Sequence, residues 1–205
     1  MSCCVSDIIS TMKILSESEI SKSSDCPYLK GMPYKQEYFC AYGVDSSEFQ
    51  TLLDQRWRRF GIVFFRPVCP DCMKCIPIRV DVSRFKPSSS QRRVLKKNRE
   101  TTVLFSELTY REDLFAVYEK HSRIKFDQTV TEEEFFRNFF QPAVPSFQSE
   151  FYVDEKLIGF GILDESGSGL STVYFSYDPD YSSLSPGTYS ILESGLLKRV
   201  LNQTV

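Results

Sequence analysis

The chain has no run of about 18 or more apolar residues anywhere in its 205, so nothing in it is long enough to cross a membrane as a helix. Its first residues lack the basic region followed by an apolar stretch that marks a secretory leader, and the expected location is the cytoplasm. Histidine is almost missing. The single one, His121, falls in a helical pattern of apolar residues and is expected to be packed rather than catalytic. An even complement of cysteines is missing as well. There are seven, three of them at C-x-x-C-x-x-C spacing, a poor basis for a disulfide framework and a better fit to free thiols or a metal in a reducing compartment. Acid is absent from Arg84 to Arg99, where seven Lys/Arg stand without a local carboxylate.

What is plentiful is apolar and aromatic material, 41% and 14% of the chain, ample for a packed core in one large or two small domains. Charge is plentiful too, and unevenly spread. Between Arg56 and Arg99 thirteen Lys/Arg face two acids, Asp71 and Asp81, a net of +11, so the total of −2 leaves −13 for the remainder. A cationic block undiluted by carboxylates points to a polyanionic partner, and a phosphate backbone is the commonest one. Within it, Ser90 is placed to cap a helix over Gln91 to Asn98, which gathers Arg92, Arg93, Lys96, Lys97 and Arg99 into a basic surface. Upstream, Cys69, Cys72 and Cys75 with the distant Cys26 supply four thiols, a set compatible with zinc or, better at this tight spacing, an iron–sulfur cluster, although structural thiols with Cys69 and Cys72 shaping a turn around Pro70-Asp71 are the more economical reading.

Residues 1–25 are Ser-rich and read as a partly ordered arm. An aromatic strand follows over Tyr34 to Tyr42, a short helix over Asp45 to Leu53, and a strand over Ile62 to Phe65. Ile76, Ile78, Val80 and Val82 alternate as on a strand that Pro77 confines to an edge. Beyond residue 101 come a strand over Thr102 to Phe105 and a helix over Tyr110 to His121. A second helix, opened by the Thr131–Glu134 capping box, carries Phe135, Phe136, Phe139 and Phe140 inward. Three antiparallel strands span Phe147 to Tyr177, and a helix begins near Gly187-Thr188-Tyr189, presenting backbone N–H groups suited to an anion. The fold class is α+β.

This order resembles the Gcn5-related N-acetyltransferase fold, a mixed, mostly antiparallel sheet with flanking helices, here with a smaller N-terminal subdomain. More closely, Cys26-Pro27-Tyr28-Leu29, Trp57-Arg58-Arg59-Phe60-Gly61, Phe65-Arg66-Pro67 with the three cysteines, Pro77-Ile78-Arg79-Val80, Phe85-Lys86-Pro87-Ser88 running into Ser90-Gln91-Arg92-Arg93, and Leu170-Ser171-Thr172-Val173-Tyr174 through Tyr177-Asp178-Pro179 to Gly187-Thr188-Tyr189 are similar to the bacterial aspartate/glutamate leucyltransferases and arginyl-tRNA–protein transferases. The resemblance implies a cytoplasmic, monomeric aminoacyltransferase without a required cofactor. Its substrates would be aminoacyl-tRNA, carrying leucine before arginine, and proteins with N-terminal Asp or Glu, which it tags for degradation. Residues 26–100 would form the N-terminal region of that family and 101–205 the acyltransferase-like region, shorter than the family's by the aromatic strand that follows the Gly187 helix.

On that reading the basic helix binds tRNA, and Arg58, Arg59, Arg66 or Arg79 receives the acceptor's carboxylate through a bidentate contact. Tyr174, Ser176, Tyr177 and Asp178, with Thr188 and Tyr189, are the catalytic candidates, Asp178 or a nearby Tyr orienting the amine and the N–H groups near Gly187 binding the terminal adenosine or the oxyanion. The donor ester is already activated, so alignment and charge stabilisation suffice. Two other classes compete: a non-catalytic RNA-binding protein, and an acetyltransferase using coenzyme A, which the lack of an Arg/Gln-x-x-Gly-x-Gly/Ala loop disfavours.

Overall fold

The computed structural model describes residues 11–203, with side chains described through residue 197. The first sheet is built from β1 (Lys13–Ile20), β4 (Gln36–Tyr42), β5 (Arg58–Phe60) and β6 (Val63–Pro67) in the order β1-β4-β6-β5; β2 (Ser24–Asp25) and β3 (Pro33–Tyr34) form a small separate hairpin between β1 and β4. Residues 13–20, expected within a Ser-rich arm, therefore form an edge strand. Helix α1 (Ser46–Asp54) starts at Asp45, whose carboxylate accepts from the N–H groups of Ser47 and Glu48 while Glu48 reaches back to the Asp45 N–H, the reciprocal arrangement that satisfies free helix-end donors. It presses Phe49 onto Phe39, Trp57 and Phe64, with Phe39 and Phe64 stacked at 5.1 Å.

After a long irregular stretch comes α2 (Ser89–Lys97), then β7 (Thr102–Glu107), α3 (Glu112–Phe126), α4 (Glu132–Phe139), β8 (Ser146–Val153), β9 (Lys156–Glu165), β10 (Leu170–Tyr177), a 3₁₀ turn (Pro179–Leu184) and α5 (Pro186–Gln203). The second sheet runs β10-β9-β8-β7, antiparallel throughout, as three strands of the sequence pattern predict. Helices α3 and α4 cover one face through Leu114, Val117, Phe135 and Phe139 against Phe160 and Ile162. The other face packs Phe151 and Ile158 on Tyr189 of α5 and on Val94 and Leu95 of α2. The architecture is α+β with antiparallel sheets and flanking helices, compatible with the Gcn5-related expectation.

Asp154 and Glu155, both with positive φ (48° and 62°), make the two-residue turn that suits a right-twisted hairpin, and so set Lys156 at the start of β9. The two sheets are joined at Gly61 and Arg59. Gly61 has φ +55° and a Cβ there would sit 2.4 Å from the Arg137 carbonyl, so only glycine lets this turn reach α4 and donate to Asn138 O at 2.7 Å. Arg59 crosses from β5 to Asp164 of β9, donating from Nε at 2.7 Å and from its Nη2, which also reaches Ser146 Oγ at 2.8 Å. Both partners are buried.

Three local expectations need correction. Residues 76–82 form no strand: Ile76, Ile78 and Val80 are exposed, Ile78 by 86%, because no neighbouring strand takes up their alternation. Ser88, rather than Ser90, caps α2, since its side chain meets the N–H of Gln91 and Gln91 returns to the Ser88 N–H. Phe136 lies on the outer side of α4, not in the core. Among the described residues no helix is long and apolar enough to cross a membrane.

Candidate functional site

The basic helix has one apolar edge and one charged face. Val94 and Leu95 turn toward the core, and the buried Asn98 donates from Nδ2 to Val94 O and Leu184 O, both at 2.9 Å. Lys97 Nζ adds a bond of 3.1 Å to Ser183 O. These contacts fasten α2 to the 3₁₀ turn that begins just after Asp178. Arg92, Arg93, Lys96, Lys97 and Arg99 are all exposed, and none of them is in an ion pair among the described residues; Arg92 bends back to Pro87 O at 2.6 Å and Ser89 Oγ at 3.1 Å. An unneutralised row of cations of this kind is electrostatically suited to phosphate groups.

At the other end of that turn Asp178 is 96% buried, being 4% exposed. Its carboxylate holds Lys120 Nζ of α3 at 2.5 Å and Lys156 Nζ of β9 at 3.3 Å, and accepts the Asp180 N–H at 3.1 Å, which caps the turn. Lys120 also reaches Asp180 at 2.6 Å. Burial pushes the Asp178 carboxyl up, but the Lys120 ammonium, the Asp180 N–H and Lys156 outweigh it and hold the group below the usual carboxylate range. Hydrogen bonding to Asp178 raises both lysines in turn. The three side chains line a cleft of about 320 Å³ between α3 and the start of β9, with Val117 and Leu157 as its apolar floor.

His121 locks this end of the sheet to α3. Its ring is buried, Nδ1 lies 2.8 Å from Tyr177 O, and the ring meets that of Tyr177 edge-on at 4.7 Å. The packed role expected of it is the role it has. Burial lowers its pKa from the usual 6.5, with Lys125 adding to the effect and the Tyr177 carbonyl opposing it. A depressed histidine contributes stability above its unfolded pKa and loses it on acidification, because the unfolded chain then takes up a proton that the folded chain resists. The melting temperature is therefore expected to fall as pH drops from 7 to 5.5, and to fall less steeply in His121→Gln; equal slopes in calorimetry of the two would contradict this.

The remaining catalytic candidates separate. Tyr177 is half-buried beside the cleft with Lys125 Nζ 5.5 Å from its ring centroid. Ser176, fully buried between Tyr174 and Asp178 in sequence, has an Oγ without a hydrogen-bond partner. Tyr174 packs against Tyr118 and Phe139, and burial pushes its hydroxyl up to about 12. Tyr189 lies on the opposite face of the sheet, buried on Phe151, its hydroxyl raised by burial and by Glu193. Thr188 is exposed at the start of α5. The N–H groups of Thr188 and Tyr189 both donate to Ser185 O at 3.1 Å, so these two donors, expected to be open to an anion, are engaged within the chain.

Three of the four arginines expected to meet the acceptor are engaged by carboxylates of the chain itself: Arg59 by buried Asp164, Arg66 by Glu37 at 2.7 Å while lying over the Trp57 ring, and Arg79 by Asp54 at 2.6 Å. Arg58, half-buried, donates to Trp57 O at 2.7 Å. Among the thiols, Cys26, Cys69 and Cys75 lie near Tyr34, whose hydroxyl is raised by burial and then by these neighbours, and Cys69 Sγ is 3.6 Å from Lys35 O. Cys26, Cys69, Cys72 and Cys75 are free, and no group of three or more His, Cys, Asp or Glu side chains among the described residues could hold a metal ion. The four-thiolate site is not assembled. Lys120 and Lys156 were not singled out from sequence, since their partner lies far along the chain.

Two family descriptions match. "Arginine-tRNA-protein transferase, N terminus" covers residues 24–93 and "Arginine-tRNA-protein transferase, C terminus" covers residues 110–202. The chain is similar to the aspartate/glutamate leucyltransferase of Campylobacter jejuni, 30% identical over 184 residues, covering 86% of this chain and 77% of the relative. It is also similar to proteins of that name from Helicobacter hepaticus, 30% identical over 180 residues (84% and 75% covered), and Pseudomonas savastanoi, 33% identical over 153 residues (73% and 65% covered).

Proposed function

The chain belongs to the arginine-tRNA-protein transferase family and is an aminoacyl-tRNA–protein transferase, and from this we propose that it moves leucine from charged tRNA to the N-terminal Asp or Glu of proteins, marking them for degradation. The observation that carries this reading is the joint between α2 and Asp178. A tRNA lying along Arg92, Arg93, Lys96, Lys97 and Arg99 is held on a helix that Lys97 and Asn98 fix to the turn starting at Asp178, so phosphate contacts and the cleft share one rigid support. Leucine rather than arginine is favoured by the names of the similar proteins. On this reading residues 26–100 form the N-terminal region with the cysteines and the basic segment, and residues 101–205 form the acyltransferase-like region.

The chemistry asked of the site is modest. An acceptor α-ammonium, with a pKa near 7.7–8.0, first gives a proton to solvent. The neutral amine attacks the ester carbonyl; the C–N bond forms, the bond from carbonyl carbon to the ribose oxygen breaks, and the second amine proton passes to that oxygen, which leaves as the tRNA hydroxyl. Asp178, ionised throughout the neutral range, orients the amine as a hydrogen-bond acceptor and does not take the proton. Tyr177 and the hydroxyl of Ser176 stand next along the same strand.

Asp178→Asn tests the assignment, with Asp178→Ala beside it. Loss of alignment is expected to lower kcat for transfer on the order of 100-fold while the KM for charged tRNA holds. Transfer at the wild-type rate in both variants would remove Asp178 from the site.

A further inference from the structure

The cleft at the end of β10 carries a charge pattern that the transfer reaction by itself does not require. A carboxylate that is almost wholly buried sits between two ammonium groups, Lys120 at 2.5 Å and Lys156 at 3.3 Å. The two lysines differ. Lys120 is doubly held, by Asp178 and by Asp180 at 2.6 Å, whereas Lys156 makes its single, longer ion pair from a side chain that is 57% exposed, at the hairpin end where it also lies over the Tyr181 ring at 5.0 Å. The other charges bordering the cleft are matched within the chain: Asp113 is bound by Arg111 through contacts of 2.8 and 3.0 Å, and Arg111 also reaches Glu150.

An amino-terminal Asp or Glu is a small zwitterion, with a nitrogen on Cα and a carboxylate two or three bonds beyond it. The cleft presents the complementary set within the same few ångströms, a hydrogen-bond-accepting carboxylate and an ammonium on a side chain that is more than half exposed. We propose that Lys156 is the specificity-determining residue for the acceptor, receiving its side-chain carboxylate while Asp178, held in place by Lys120, receives its α-nitrogen. The arginines that sequence pointed to for this task are mostly spent elsewhere, Arg59, Arg66 and Arg79 each on a carboxylate of the chain. Lys156 loses little by exchanging partners, because the incoming carboxylate replaces its long contact to Asp178 while Asp178 gains the acceptor nitrogen, and the number of charge-assisted bonds is kept. A site built to bind a carboxylate rejects the neutral amide that lacks it, since its cation is then left without a partner.

This inference rests on the proposed transfer to acidic N-termini, and the test separates the two. Peptides identical except for a first residue of Asp or Asn are compared as acceptors with leucyl-tRNA, for the wild type, Lys156→Gln and Lys156→Arg. The wild type is expected to prefer Asp, and Lys156→Gln to reduce the Asp-over-Asn ratio of kcat/KM at least tenfold by raising the KM for the Asp peptide, with the KM for leucyl-tRNA unchanged and partial recovery in Lys156→Arg. An unchanged Asp-over-Asn ratio in Lys156→Gln would overturn the assignment, and so would a rise in KM for leucyl-tRNA with the ratio intact, which would make Lys156 a phosphate contact. A wild type that transfers nothing to either peptide sinks the underlying reading instead.

Discussion

Asp164→Ala is expected to destabilise the fold by about 3–5 kcal/mol, because it strands the Arg59 guanidinium in a buried site between the two sheets. Against a total of roughly 5–15 kcal/mol for a typical domain, that is enough to shift the melting temperature by on the order of 10 °C or to prevent folding at growth temperature. The penalty comes from the partner left behind. Arg59 spends its donors on Asp164, on Ser146 and on Gly61 O at 3.0 Å, so deleting the carboxylate removes the acceptor that justified burying the charge. A matched apolar replacement of both partners, Arg59→Met with Asp164→Leu, is expected to recover much of the loss. Urea denaturation of the three proteins reads this directly, and a loss below about 1 kcal/mol for Asp164→Ala would mean that the pair is solvated and does not join the sheets.

Neutralising the exposed face of α2, with Arg92, Arg93, Lys96 and Lys97 all replaced by Gln, is expected to weaken tRNA binding on the order of 100-fold at moderate salt. Glutamine matches Arg and Lys closely in helix propensity, and although the Lys97 bond to Ser183 O is lost, the apolar edge of Val94 and Leu95 and the Asn98 bonds to Val94 and Leu184 remain, so α2 stays folded and docked. The effect belongs to charge. Each phosphate contact removed lowers the slope of log affinity against log salt by about 0.7–0.9, and four together by roughly 3. A variant that binds weakly with the wild-type slope would have lost shape rather than counterion release. Transfer at saturating tRNA is expected to keep its kcat, which separates this variant from Asp178→Asn.

Local signals were legible in the sequence and long-range pairings were not. The capping box at Thr131–Glu134 opens a helix as expected, because its two hydrogen bonds are made within four residues. The three-strand run over β8, β9 and β10 is likewise written locally, in alternation and in the Asp154-Glu155 turn. Alternation alone misled at Ile76, Ile78 and Val80, since a strand needs a partner as well as a pattern, and among the described residues no strand pairs with this segment. Arg58 and Arg59 looked equivalent as neighbours. On β5 their side chains point to opposite faces, and only the register of β5 on β6, with Arg59 aimed at Asp164, shows that one is buried in an ion pair. For the same reason Asp178 could be picked out beside Pro179, whereas Lys120 and Lys156, which define what its cleft recognises, carried no mark until α3 and the β8–β9 hairpin brought them together.

The most direct measurement follows the label. Leucyl-tRNA carrying radioactive leucine is incubated with the protein and a peptide beginning with Asp, beside the same peptide acetylated at its α-amine. Radioactivity passing to the free peptide and not to the acetylated one is the predicted result; label that stays on tRNA while the protein binds it tightly would leave a nucleic-acid-binding protein and no transfer.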